Sequence, residues 1–134
     1  MLCLLQIGLD TDRPYWVTRE AFFNHFDQED FLCRDVEDVT LAYLCDWFDD
    51  LGDGIPRFKL PAVYFLPTSN SCKTEFVSGR HRTTVLLQFL DKVPLSFTPS
   101  VDEYPEFFNK LVMRPIEADE LFFLPDLPIC DSLP

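Results

Sequence analysis

Residues 73–97 read KTEFVSGRHRTTVLLQFLDKVPLSF, and three structural signals follow one another within them. Lys73 to Ser78 suits a strand. Gly79 interrupts it, and from about His81 to Leu90 the apolar Val85, Leu86, Phe89 and Leu90 recur at helical spacing. Val93 to Phe97 then returns to a strand pattern. Strand, glycine, helix and strand in this order predict an α/β unit in the broad sense, an α+β domain with a small mixed sheet and helices.

Working upstream, Leu60 to Pro67 reads as a strand bracketed by prolines, and Thr68 to Ser71 as a polar turn joining it to Lys73–Ser78 in a hairpin. Before that, Asp35 is placed to cap a long helix carrying Val36, Val39, Tyr43, Leu44, Trp47, Phe48 and Leu51 at helical spacing. Gly52-Asp53-Gly54 and Pro56 end it. Nearer the start, Leu2 to Leu9 reads as a short buried strand and Asp10 to Pro14 as a turn. Thr18 is an N-cap for a short helix to Phe26, with Phe22, Phe23 and Phe26 on its apolar side. Downstream, Tyr104 to Met113 is a helix opening at Pro105, and Leu121 to Leu124 a short strand or docking segment. Pro125, Pro128 and Pro134 mark an extended tail.

The totals agree with one domain over residues 1–134. That length gives room for a single core, and 47% apolar residues fit a globular chain. Fourteen Phe call for an aromatic core, a covered surface, or both. No apolar run reaches the roughly 20 residues of a membrane span, and the opening Met1 to Leu5 reads as strand rather than signal peptide. Five cysteines, odd in number and without a CxxC pair, predict free thiols in a reducing cytoplasm and no metal site. The net charge of −12 is uneven: residues 1–56 carry −10, residues 57–97 carry +4, and residues 98–134 carry −6. A basic centre between acidic flanks fits a local anion site and disfavours direct DNA binding, which needs many Lys and Arg contacts.

The chemistry concentrates at Ser78-Gly79-Arg80-His81-Arg82-Thr83-Thr84. Free N–H groups and the positive dipole end at a helix start favour an anion. Gly79 permits close backbone approach. Arg80 and Arg82 offer planar donor forks for phosphate oxygens, Ser78, Thr83 and Thr84 carry hydroxyl donors, and His81, a candidate catalytic residue, can donate a hydrogen bond or move a proton. The competing reading pairs Arg80 and Arg82 with acidic side chains and gives His81 a packing role.

The segment FVSGRHRTTVLLQFLDKVPLSF, preceded by LPAVYFLP and an amphipathic helix, resembles the ParB/sulfiredoxin-like superfamily over about residues 35–97, leaving the helix and tail of residues 100–134 outside. The resemblance implies a nucleotide phosphate, of ATP or CTP with Mg²⁺, on Gly79, Arg80, His81 and Arg82, and an NTPase or phosphotransferase activity. Glu20, Asp35 and Asp38 are candidates for an upstream catalytic acid. Arg80 stands where a sulfiredoxin would have its reactive cysteine, and Ser78 where the serine-kinase motif has Asp. A following helix-turn-helix domain has no room. Two functions therefore stay open: a nucleotide- or phosphate-binding protein, with or without turnover, and a non-catalytic acidic protein of plasmid or phage type. The latter would bind a basic protein partner through Glu37, Asp46, Asp49 and Asp50.

Overall fold

The computed structural model describes residues 2–27, 47–49 and 52–124. Two small mixed sheets and three helices make up these residues, an α+β fold. In chain order the elements are β1 (Leu2–Gln6), β2 (Arg13–Thr18), α1 (Arg19–His25), β3 (Phe48–Asp49), β4 (Arg57–Lys59), β5 (Ala62–Pro67) and β6 (Cys72–Ser78). There follow α2 (Arg80–Phe89), β7 (Lys92–Phe97), a 3-10 turn (Pro99–Glu103), α3 (Pro105–Leu111), β8 (Arg114–Pro115) and β9 (Leu121–Phe123).

The five-stranded sheet runs β6-β5-β7-β2-β8. β5 and β6 form the expected antiparallel hairpin, with the Thr68 N–H donating to the Ser71 carbonyl across the turn. The chain then passes through α2 and returns as β7, which lies parallel to β5. The strand–glycine–helix–strand reading of residues 73–97 is borne out, with α2 beginning at Arg80. The four-stranded sheet runs β3-β4-β1-β9, with β1 parallel to β4.

Several expectations need correction. The turn before β2 is shorter than Asp10 to Pro14, because Arg13 and Pro14 already pair with Phe97 and Ser96 of β7. Pro14 is tolerated there at the strand's start, where the loss of a donor matters little. The long helix expected from Asp35 to Leu51 falls mostly outside the described residues; where it enters them, Phe48 and Asp49 form a strand paired with Phe58 and Arg57. Alternating contacts with β4 override the helical spacing at this end. Phe23 is 45% exposed, so only Phe22 and Phe26 of the expected apolar stripe are buried. The cap on α1 is as read: Thr18 Oγ1 accepts from the Ala21 N–H at 3.1 Å.

The core is aromatic on both sides of the larger sheet. Tyr15, Phe65, Phe97 and Phe108 meet edge-to-face at 4.9–6.3 Å. On the opposite face Trp16 meets Phe122 at 5.4 Å, and Phe122 meets Phe58 at 6.2 Å, which joins the two sheets. Full burial of side chains this large stabilises by about 1.5–3 kcal/mol each. The described cysteines, Cys3 and Cys72, are buried free thiols, and burial pushes Cys3 up to about 11. Among the described residues no helix is long and apolar enough to cross a membrane.

Candidate functional site

The β6–α2 junction is shaped by two local irregularities. Ala62 pairs with Ser78 while Val63 pairs with Phe76, so Val77 is an extra residue that bends the end of β6. Gly79 then takes φ 90° and ψ 17°, a left-handed conformation. A Cβ here would lie 2.6 Å from both Cα and Cβ of Pro61 and 2.7 Å from a terminal nitrogen of Arg82. Glycine is thus required twice, for its backbone angle and for the space it leaves.

α2 starts without any side-chain cap, and its first backbone bond runs from the Thr83 N–H to the Gly79 carbonyl at 3.0 Å. The N–H groups ahead of Thr83 have no acceptor within the helix. At the other end, the Arg19 guanidinium donates to the Leu87 and Leu90 carbonyls, so the negative end of the α2 dipole is already answered by a cation. The positive end has no such side-chain cap. Ser78, Arg80 and His81 are exposed there and line a hollow of about 300 Å³ together with Glu75, Phe76, Val77 and Gly79. Among the described residues Arg80 has no ion-pair partner, whereas Glu75 is held by Lys73 at 3.0 Å.

The other expected donors are elsewhere. Thr83 and Thr84 are buried under α2, and their hydroxyls donate to the Gly79 and Arg80 carbonyls at 3.0 and 2.9 Å. Helical period puts them on the face packed against β7, where a buried hydroxyl takes the nearest backbone carbonyl. Neither can reach an anion in the hollow. Arg82 also turns inward: its guanidinium packs beneath Gly79 and reaches the Leu60 carbonyl at 3.5 Å. Its Nε is buried without a partner, and burial lowers its pKa. The structure therefore brings together Ser78, Gly79, Arg80 and His81, and separates Arg82, Thr83 and Thr84 from them.

Of the acidic residues read as a partner surface, Asp49 lies in β3 rather than on a helix and pairs with Lys59 at 3.4 Å. Glu37, Asp46 and Asp50 lie outside the described residues, as do Asp35 and Asp38; Glu20 is exposed in the first turn of α1. Among the described residues no three His, Cys, Asp or Glu side chains converge as metal ligands.

One constellation has no trace in sequence spacing. Glu120 accepts from Arg114 through both carboxylate oxygens at 2.9 Å, from the Trp16 indole N–H at 3.0 Å, and from the Glu117 N–H at 3.1 Å. The Arg114 hydrogen bonds above all hold its carboxyl down at about 2. The Lys92 ammonium rests 4.5 Å above the Trp16 ring. This clasp ties β2, β8 and the approach to β9 together, and its members are brought together only by the fold.

Comparison of the chain with protein-family models, with curated proteins and with solved structures finds no match.

Proposed function

We propose that the protein binds a phosphate-type anion, the phosphate of a nucleotide, at Ser78, Gly79, Arg80 and His81, in the manner of a ParB/sulfiredoxin-like domain. The observation that carries this reading is the asymmetry of α2. Its C-terminal carbonyls are capped by Arg19, while its first turn is uncapped beside an exposed Arg80 that no described carboxylate neutralises.

Magnitudes narrow the ligand. A helix N-terminus contributes about 0.3–1 kcal/mol to holding an anion, and a charged hydrogen bond about 1.5–3 kcal/mol. Their sum, about 1.8–4 kcal/mol, stays below the roughly 4.1 kcal/mol of a millimolar complex, so inorganic phosphate alone binds weakly. A nucleotide gains the rest from apolar contact, which Phe76 and the exposed Val77 supply on the same hollow. ATP or CTP would arrive with Mg²⁺ carried on its phosphate oxygens and water. His81 at the hollow's edge is placed to hold or move a proton at the bound phosphate.

Titration with ATP, CTP and GTP, with and without Mg²⁺, followed by a phosphate-release assay, tests the reading. Saturable binding that Arg80→Ala weakens is the expected result. No binding by the unaltered protein at millimolar nucleotide would sink it.

A further inference from the structure

A second cavity lies far from the β6–α2 junction in sequence, between β1 and the Glu117–Glu120 turn, and encloses about 390 Å³. That is within the range of small-molecule sites. Leu5, Ile7, Pro14 and Ile116, all half-buried, give it an apolar floor. Its rim is charged, and the charges do not balance.

Arg57 and Glu120 on the rim are already answered. Arg57 gives two hydrogen bonds to Asp53, at 3.0 and 2.8 Å, and Glu120 takes both forks of Arg114. Glu117 and Asp119 are exposed at the mouth and have no ion-pair partner among the described residues. Arg114 feels Glu117 only as a more distant charge. The backbone presenting the two carboxylates is fixed from both ends: the Glu120 N–H donates to the Glu117 carbonyl, and the Glu117 N–H donates to Glu120 Oε1.

We propose that this cleft binds an organic ammonium ion on an apolar stem, with the stem on Leu5, Ile7 and Ile116 and the ammonium between Glu117 and Asp119. A carboxylate ligand would meet two like charges that no described ion pair holds, which disfavours it. A neutral apolar ligand would displace water from those carboxylates without replacing its hydrogen bonds. An alkylammonium satisfies both surfaces at once. The same chemistry comes from a free alkylamine or from a lysine side chain of a peptide.

The test is an amide NMR titration of the full chain with hexylamine, hexanol and hexanoate in parallel. Hexylammonium should shift the signals of Ile7, Ile116, Glu117, Ala118 and Asp119 saturably, hexanol less, and hexanoate not at all. The double variant Glu117→Gln, Asp119→Asn should lower hexylammonium affinity about tenfold, the scale of two partly exposed charges. Asn tolerates the left-handed backbone of Asp119, φ 62°, so the turn is retained. The variant Asp27→Asn, Glu106→Gln removes the same charge from two exposed positions that do not line the cleft and should leave affinity unchanged.

A capped pentapeptide with one central lysine identifies the source. Tighter binding than hexylamine assigns the cleft to a side chain, and weaker binding to a free amine. Equal losses in the two double variants would reduce the effect to general attraction by an acidic protein and overturn the proposal. So would equal binding of hexanoate, or an absence of shifts at the cleft.

Discussion

The β5–β6–α2–β7 unit and the clasp around Trp16 are held together on different plans. In the unit, the residues that determine the geometry are neighbours in the chain: Val77 bends the strand, Gly79 reverses it, and Arg82 tucks back beneath Gly79. In the clasp, Trp16, Lys92, Arg114 and Glu120 come from four separate stretches. Steric and backbone constraints act locally and nearly all-or-none, whereas a charged network of distant groups is graded and depends on pH. Substitutions should separate the two.

Gly79→Ala should have the largest effect. It combines left-handed backbone strain with a 2.6 Å approach to the Cα and ring Cβ of Pro61, neither of which can swing aside. A loss of about 3 kcal/mol is expected in denaturant unfolding. Gly52→Ala and Gly54→Ala share the positive φ, at 86° and 76°, but a Cβ there meets nothing within 4 Å. About 1–2 kcal/mol is expected for each. Equal losses at all three positions would show that the Pro61 contact adds nothing and that the junction is an ordinary turn.

Glu120→Gln comes next, with a loss of about 1–2 kcal/mol at neutral pH, since charge-assisted bonds to Arg114 become neutral ones. The Glu120 carboxyl is lowered from 4.5 to about 2 in the folded protein. Its contribution is therefore full above about pH 4.5 and is lost as pH falls towards about 2. Unfolding free energies of the two proteins, measured across that window, should converge at the acid end. A constant gap would mean that Glu120 acts by shape rather than by charge.

The same contrast explains what the sequence discloses. Residues 60–97 were legible because their signals are contiguous: a proline-bracketed strand, a polar turn, a glycine, then helical spacing. β2 is not legible, because Arg13-Pro14 looks like a turn until β7 supplies a partner. The junction itself was legible as a place but not as a set of donors. Spacing put Arg82, Thr83 and Thr84 next to Arg80, and only packing against β7 and Pro61 decides that they face inward. Nothing in the spacing of Trp16, Lys92, Arg114 and Glu120 marks them as partners.

Within the junction, the two arginines should differ in what they contribute to binding. Arg80 is exposed at the hollow, so Arg80→Ala should weaken nucleotide binding about tenfold, or about 1.4 kcal/mol, with little change in stability. Arg82→Ala should leave affinity nearly unchanged, because its guanidinium packs beneath Gly79 rather than at the hollow. It removes a half-buried cation whose Nε is unsatisfied, so its cost in stability should be small and its effect on affinity smaller than that of Arg80→Ala. Isothermal titration and thermal unfolding of both variants provide the check. A larger loss of affinity for Arg82→Ala would mean that its guanidinium swings outward to the ligand.

Asp49→Asn should have the smallest effect. Asp49 pairs with Lys59 at 3.4 Å, both side chains are more than a third exposed or close to it (34% and 39%), and the strand that carries Asp49 has only two residues. Exposed pairs of this kind contribute about 0–1 kcal/mol and are screened by salt. Loss of the charge should therefore change unfolding by less than about 0.5 kcal/mol, and the difference should vanish at high ionic strength. Nucleotide affinity should not change, because the clasping pair joins β3 to β4, two strands of the sheet that does not contain the junction. The variant is also the sharpest check on the acidic surface as a docking face for a basic partner. An Asp49 already engaged by Lys59 has little charge to offer, so a basic partner should bind Asp49→Asn as well as it binds the unaltered chain. A strong loss of such binding at unchanged stability would show that the Lys59 pair opens on contact, and would return Asp49 to the recognition surface.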